Sequence, residues 1–146
     1  MRILHCGDIH IRTVSRYIET RQVFDNLFIR LKELEKNNLW DRTIDRLYVG
    51  GDIVHSKLQL SPEAVSLVHY FFNGLSEFGE VDIILGNHDC NLGNPDRPDA
   101  ISPIVEALDN SKLHLYKSPQ LVDIPNSNLT YGVFSVLHDN TGPQFI

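Results

Sequence analysis

Three short apolar runs, RILHC at 2–6, RLYV at 46–49 and VDIIL at 81–85, are each followed at once by glycine and a turn rich in polar donors. Segments of helical length separate them, and this alternation limits the possible folds more than any other feature. Between the first two runs, Phe24, Leu27, Phe28, Leu31 and Leu34 recur at i, i+3 and i+4 spacing, which predicts a helix from about Tyr17 to Lys36. A second helix starts at SPEA, where Ser61 is placed to cap free amides and Pro62 suits the first turn; its stripe is Val65, Val68, Phe72 and Leu75, and Gly79 is placed to end it. A third is expected near Asp99 to Asp109, with Ile101, Ile104, Val105 and Leu108 on one face. The order βαβαβα implies an α/β fold with parallel strands joined by right-handed crossovers. After it come short strands at about 113–116, 121–124 and 129–136, divided by Pro and Asn turns.

Bulk properties fit one globular domain: 146 residues, 42% hydrophobic and 22% charged. No apolar stretch approaches the roughly 18 residues needed to span a bilayer, and MRILHCGD turns polar too early for a secretory signal. The expected location is therefore a cytoplasm, the host's if the protein is viral, with no membrane partner. Cys6 and Cys90 form no CxxC pair, so free thiols are expected. The formal charge of −6 argues against coating nucleic acid through a basic surface.

In a parallel α/β sheet, ligands bind outside the carboxyl ends of the strands. The three runs here lead into GDIH, GGDIVH and GNHD, so Asp8, His10, Asp52, His55, Asn87, His88 and Asp89 are brought to one neighbourhood. Asp, His and Asn form a borderline-hard ligand set suited to Mn, Fe or Zn. Gly7, Gly51 and Gly86 are expected to allow the sharp exits and close approaches. Each motif alone has an ordinary explanation, such as a solvated aspartate beside a packed histidine or a plain Gly-Asp turn. Three in succession, each after its own strand, carry the inference. His5, His69 and His114 lie inside strand or helix patterns and are expected to be structural, and Cys90 to be an incidental loop residue.

The blocks DIH, GD and GNHD resemble the calcineurin-like metallophosphoesterase superfamily. The resemblance implies an α/β/β/α sandwich, of which this chain would supply the N-terminal portion: a parallel βαβαβ unit followed by additional strands. It also implies two divalent metal ions, Mn foremost, with Fe, Zn or Mg as alternatives. Carried over by position, Asp8 and His10 would bind the first ion, Asp52 would bridge both, and Asn87 would bind the second. Such a pair clamps the oxygens of a phosphodiester displacement and lowers the pKa of a bound water. His88 would stabilise the phosphate or protonate the leaving oxygen, and Asp89 would orient its ring.

Within the superfamily, GDIVH is the discriminating segment, because serine/threonine protein phosphatases carry GDxxDRG there. A histidine three residues after the bridging aspartate looks like the double-strand-break repair nucleases, of the SbcCD nuclease-subunit type and its relatives in tailed phages. There, His55 would be a second catalytic imidazole; otherwise it packs under its loop. The implied function is a Mn-dependent DNA exonuclease or endonuclease of recombination or break processing. Its implied partners are DNA, a second copy, and an SMC-like coiled-coil ATPase.

Two departures stand against the pattern. Arg12 follows Ile11 where the family has glycine, either reaching a phosphate or facing solvent. The family's lone late histidine and GHxH block have no clear counterpart: there is no GHxH, and His138 is either that ligand or an ordinary loop residue. The chain is therefore expected to be a single domain incomplete at its C-terminus. Two other functions stay open, a small-molecule phosphodiesterase or phosphatase and a non-catalytic interaction domain retaining half a metal site.

Overall fold

The computed structural model describes residues 1–12, 16–94, 96–125 and 127–137. In chain order the elements are β1 (Ile3–Cys6), α1 (Tyr17–Lys36), β2 (Arg46–Gly50), α2 (Pro62–Ser76), β3 (Glu80–Ile84), α3 (Ser102–Leu108), β4 (Leu113–Tyr116), β5 (Gln120–Asp123) and β6 (Thr130–Val133). Strands β1 to β4 form one parallel sheet in that spatial order, with Leu4 beside Leu47, Leu47 beside Val81 and Val81 beside Leu113. When spatial order follows chain order, right-handed crossovers place every helix on the same face. Accordingly α1 packs on α2 and α2 on α3.

The core lies between that helical layer and the sheet. Leu47, Val49, Val81 and Ile83 alternate along β2 and β3 and are fully buried, meeting Phe24, Phe28 and Leu31 of α1 and Leu67, Val68, Phe71, Phe72 and Leu75 of α2. Each such side chain contributes about 1.5–3 kcal/mol by leaving water. The apolar stripe of α2 is wider than its sequence spacing suggests, because the helix is flanked on both sides; Val65 falls outside it at 37% exposure. Ser61 caps the helix as expected, its hydroxyl accepting from the Ala64 amide at 3.2 Å. Trp40 anchors the connection into β2, its indole donating to the Phe78 carbonyl at 2.8 Å.

Two boundaries and the burial of the first strand differ from the sequence expectation. Helix α3 begins at Ser102, because Asp99 acts as an acceptor ahead of it: its buried carboxylate takes the Ile101 and Ser102 amides and pairs with Lys117 at 2.8 Å. The first strand is not buried on both faces. It is the sheet edge, with Ile3 57% exposed and His5 exposed on the face away from the helices. The last expected strand shortens to Thr130–Val133 and pairs antiparallel with β5 as a separate two-stranded sheet. The described residues thus hold a helical layer, a parallel sheet and a hairpin of further β structure, and the outer helical layer of a four-layer sandwich is not among them. No helix among them is long and apolar enough to cross a membrane.

On the face away from the helices, the sheet is polar where the helical side is aliphatic. Arg46 grips Asp82 with two hydrogen bonds of 2.7 and 2.8 Å, and the Tyr116 hydroxyl donates to the same carboxylate at 2.9 Å. Burial alone would raise the Asp82 carboxyl, but the Arg46 guanidinium, with the Tyr131 and Tyr116 phenols, brings it below the usual carboxylate range. Burial beside that charge pushes the Tyr116 phenol up to about 12. A lone buried charge is costly. Arg46→Leu is therefore expected to lose about 3–5 kcal/mol at neutral pH, measured by urea unfolding. Because the folded Asp82 pKa is depressed, its stabilisation is complete above the unfolded value of about 4 and is lost as pH falls below it. The gap between wild type and variant is expected to narrow between pH 7 and pH 3.

Candidate metal centre

The loops leaving β1 and β2 keep pairing after the strands end. Asp8 N–H donates to the Gly51 carbonyl at 3.2 Å, His10 to Asp52 at 2.9 Å, Ile11 to Ile53 at 2.8 Å, and His55 returns to Ile11 at 3.1 Å. This extension lays DIH alongside GDIVH. It does so through left-handed backbone at Asp8 (φ 52°), His10 (φ 46°) and Asp52 (φ 50°), conformations that cost non-glycine residues of order 1–3 kcal/mol each. The result is a convergence of donors: His10 Nε2 lies 3.7 Å from an Asp8 oxygen and 4.0 Å from an Asp52 oxygen, and the ligand atoms of all three residues lie within 4.8 Å of one another.

Two glycines let the β2 and β3 loops close. Gly51 has φ +82°, and a Cβ there would lie 2.5 Å from the Gly86 nitrogen. A Cβ on Gly86 would lie 2.1 Å from Asp52 Oδ1 and 2.3 Å from its amide. Gly7, expected to serve the same purpose, does not: a Cβ there would meet nothing nearer than 3.5 Å.

The β3 loop contributes through its backbone as much as its side chains. The His88 amide donates to Asp52 Oδ1 at 2.9 Å. Asp89 is wholly buried; one of its oxygens accepts from the Ile53 and Val54 amides at 2.9 and 3.0 Å, and the other from Gly86 at 2.9 Å. Burial pushes its carboxyl above the usual range, opposed by those amides and assisted by the Asp52 charge. The expected bond from Asp89 to the His88 ring is not what holds that ring. The 86–89 turn closes with the Asp89 amide on the Gly86 carbonyl and its carboxylate on loop amides, while His88 Nδ1 lies 2.9 Å from the His55 carbonyl. Facing an acceptor, Nδ1 carries the ring proton and leaves the Nε2 lone pair free.

The imidazoles of the three loops meet beside the carboxylates. His10 and His88 stand edge to face with centroids 4.7 Å apart, His55 and His88 stack at 5.7 Å, and His10 and His55 are 5.7 Å apart. His55 is exposed, and desolvation followed by the charges of Arg12, His10 and His88 holds its pKa below the ordinary value. Arg12 is exposed and lines a cavity of about 270 Å³ with Ile11, His55, Gln59 and Leu60. Asn87 is exposed at the turn, its carbonyl accepting from Lys57 Nζ at 3.1 Å. The same ammonium donates to the Cys90 carbonyl at 2.7 Å and so ties the β2 loop to the β3 loop, a role that spacing gave no means to foresee. Cys90 is buried, its thiol on the Gly86 carbonyl and pushed up by burial. His114 pairs with Glu80 at 2.5 Å, and His5 packs by Tyr48 and beside Gly50; neither belongs to the converging groups. His138 lies outside the described residues.

Asp8, His10 and Asp52 fit a divalent cation. Two carboxylates and an imidazole match its ligand preferences, and their donors already converge through His10 Nε2.

Comparison with known proteins agrees with this chemistry. The family model described as calcineurin-like phosphoesterase matches residues 1–142. The chain is also 39% identical over 145 residues to a protein of Acanthamoeba polyphaga mimivirus named Uncharacterized protein R555. That alignment covers 94% of this chain and 10% of the viral protein, so the chain spans about a tenth of that relative's length.

The glycine contacts separate a residue that positions the site from one that merely adjoins it. Gly86→Ala would displace Asp52 and is expected to weaken divalent-cation binding by about 10–100-fold in calorimetric titration, the range for supports of metal ligands. Gly7→Ala is expected to leave that affinity within about twofold, since its methyl fits.

Proposed function

Because the chain belongs to the calcineurin-like phosphoesterase family, we propose that it is a metal-dependent DNA nuclease hydrolysing phosphodiesters at the carboxyl ends of β1, β2 and β3. The observation that carries this reading is the stack of His55 on His88, two imidazoles from different loops at 5.7 Å beside the Asp8, His10 and Asp52 group. A phosphodiester has a poor alkoxide leaving group and a charged transition state, and two imidazoles on one flank serve both needs.

In this reading Asp8, His10, Asp52 and Asn87 hold two divalent ions, Mn²⁺ foremost. When bound, such ions neutralise phosphate charge and make water nucleophilic at neutral pH. The chain's own residues do the rest. His88, with Nδ1 donating to the His55 carbonyl, would act on the phosphate or the leaving oxygen as its imidazolium, whose Nε2–H donates to the oxygen and gives up that proton as the leaving group departs. His55, held toward its neutral form, hydrogen-bonds a phosphate oxygen. Asp89 acts through the loops it pins and not on the substrate. Arg12, at the rim of the cavity beside His55, meets a flanking phosphate. A chain of charge −6 gains its remaining hold on DNA from a second copy and from a coiled-coil ATPase partner.

A second reading, a small-molecule phosphodiesterase, is favoured by Lys57. Its ammonium spends two of its three donors on the Asn87 and Cys90 carbonyls, which anchors it at the site and keeps it from following a DNA strand away from it.

Asp52→Asn in the full chain is expected to abolish Mn²⁺-dependent cleavage of linear double-stranded DNA. His88→Gln is expected to lower kcat by about 10²–10⁴-fold while Mn²⁺ affinity holds. Turnover of bis-p-nitrophenyl phosphate as fast as that of DNA ends would transfer the assignment to the small-molecule reading, and undiminished cleavage by Asp52→Asn would end both.

A further inference from the structure

His10, His55 and His88 form a donor group of their own. Each offers one ring nitrogen, and these atoms lie within 4.8 Å of one another, the bound that Asp8, His10 and Asp52 also meet. The rings arrive from three different loops, so the group exists only in the folded chain. It also has the support that metal-binding histidines use: His88 Nδ1 is engaged by a backbone carbonyl, which fixes the tautomer and leaves Nε2 for an ion. That carbonyl belongs to His55, so one member of the group orients another.

We propose that His10, His55 and His88 constitute a nitrogen-only site for a borderline-soft divalent cation such as Zn²⁺, overlapping the carboxylate-containing group through His10. Ligand chemistry selects the ion. Three imidazoles without a carboxylate favour Zn²⁺ over Mn²⁺, and three histidines with a fourth position open to water are a set that Zn²⁺ takes. Bonds of about 2.0–2.1 Å place two nitrogens on a tetrahedral ion about 3.3 Å apart, so nitrogens as far apart as 4.8 Å must draw in by about 1.5 Å. His55, exposed to solvent, has the room to turn.

Overlap at His10 makes the two groups rivals. A neutral imidazole has one nitrogen lone pair, so His10 serves one ion at a time. An ion on the three histidines also withdraws His55 and His88 from the phosphate. Zinc then opposes what manganese supports. That inhibitory consequence rests on the hydrolytic reading; the existence of the site does not.

Binding measured apart from activity decides the matter. The full chain and its His55→Gln and Asp8→Asn variants, their folds checked by circular dichroism, are titrated with Zn²⁺ and Mn²⁺ in a calorimeter and with Co²⁺ in a visible spectrometer. The expected pattern is crossed. His55→Gln weakens Zn²⁺ binding at least about tenfold and removes the intense band of tetrahedral Co²⁺, with Mn²⁺ affinity within about twofold, whereas Asp8→Asn does the reverse. Zn²⁺ binding that is absent, that ignores His55→Gln, or that falls equally with Asp8→Asn overturns the proposal. Hydrolysis of bis-p-nitrophenyl phosphate is read alongside. Zn²⁺ inhibition of the Mn²⁺-loaded protein, relieved by excess Mn²⁺, supports the rivalry, while no turnover with any metal defeats the hydrolytic reading and leaves the binding pattern to judge the site.

Discussion

The Asp89 carboxylate is wholly buried and accepts three backbone amides, two from the loop after β2 and one from the loop after β3. Hydrogen bonds to an ionised group are worth about 1.5–3 kcal/mol each, and removing the acceptor leaves two buried donors and one partly buried donor unpaired. The loop after β1 is joined to the same assembly by its backbone pairing with Gly51, Asp52 and Ile53. All three loops therefore depend, directly or at one remove, on a side chain that touches no substrate. This rigidity also offsets the left-handed backbone at Asp8, His10 and Asp52, which an untethered loop would relax.

Two buried carboxylates show two ways of solving one electrostatic problem. Asp82, on the sheet face away from the helices, is neutralised by a guanidinium inside the fold and is held below the ordinary carboxylate range. Asp89 has amides but no cation, lies near the Asp52 charge, and is raised. A chain that is acidic overall, with Asp8 and Asp52 converging at the sheet's carboxyl edge, is built to concentrate negative charge at that edge. Lys57 stands at the same edge, its ammonium joining two loops through their carbonyls while keeping its charge.

Local signals in the sequence were accurate where a single element decides the outcome. The i, i+3, i+4 spacing in α1 matches its observed span, and Ser61 caps α2 because capping needs only the next three residues. Signals failed where a neighbour decides. Val65 and Leu67 are indistinguishable by hydrophobicity, yet only packing on both flanks of α2 selects Leu67 for the core. Ile3 and His5 lie in an apolar run, but the run is a sheet edge with one uncovered face. Asp89 follows His88 at a spacing that suits bonding to its ring, and nothing in one loop's sequence reveals that another loop's amides claim the carboxylate first.

By itself the sequence determined the alternation of strands and helices and the edge of the sheet to which Asp8, His10, Asp52, His55, Asn87, His88 and Asp89 belong. Chain direction suffices for that, since parallel strands with right-handed crossovers send every strand-terminal loop to the same end. Tertiary structure decided what those residues do there: which glycines are indispensable, that Asp89 binds backbone while the His55 carbonyl holds the His88 ring, and that the three imidazoles converge. Each of these depends on distances between loops that are far apart along the chain, and such distances exist only once the sheet has brought the loops together.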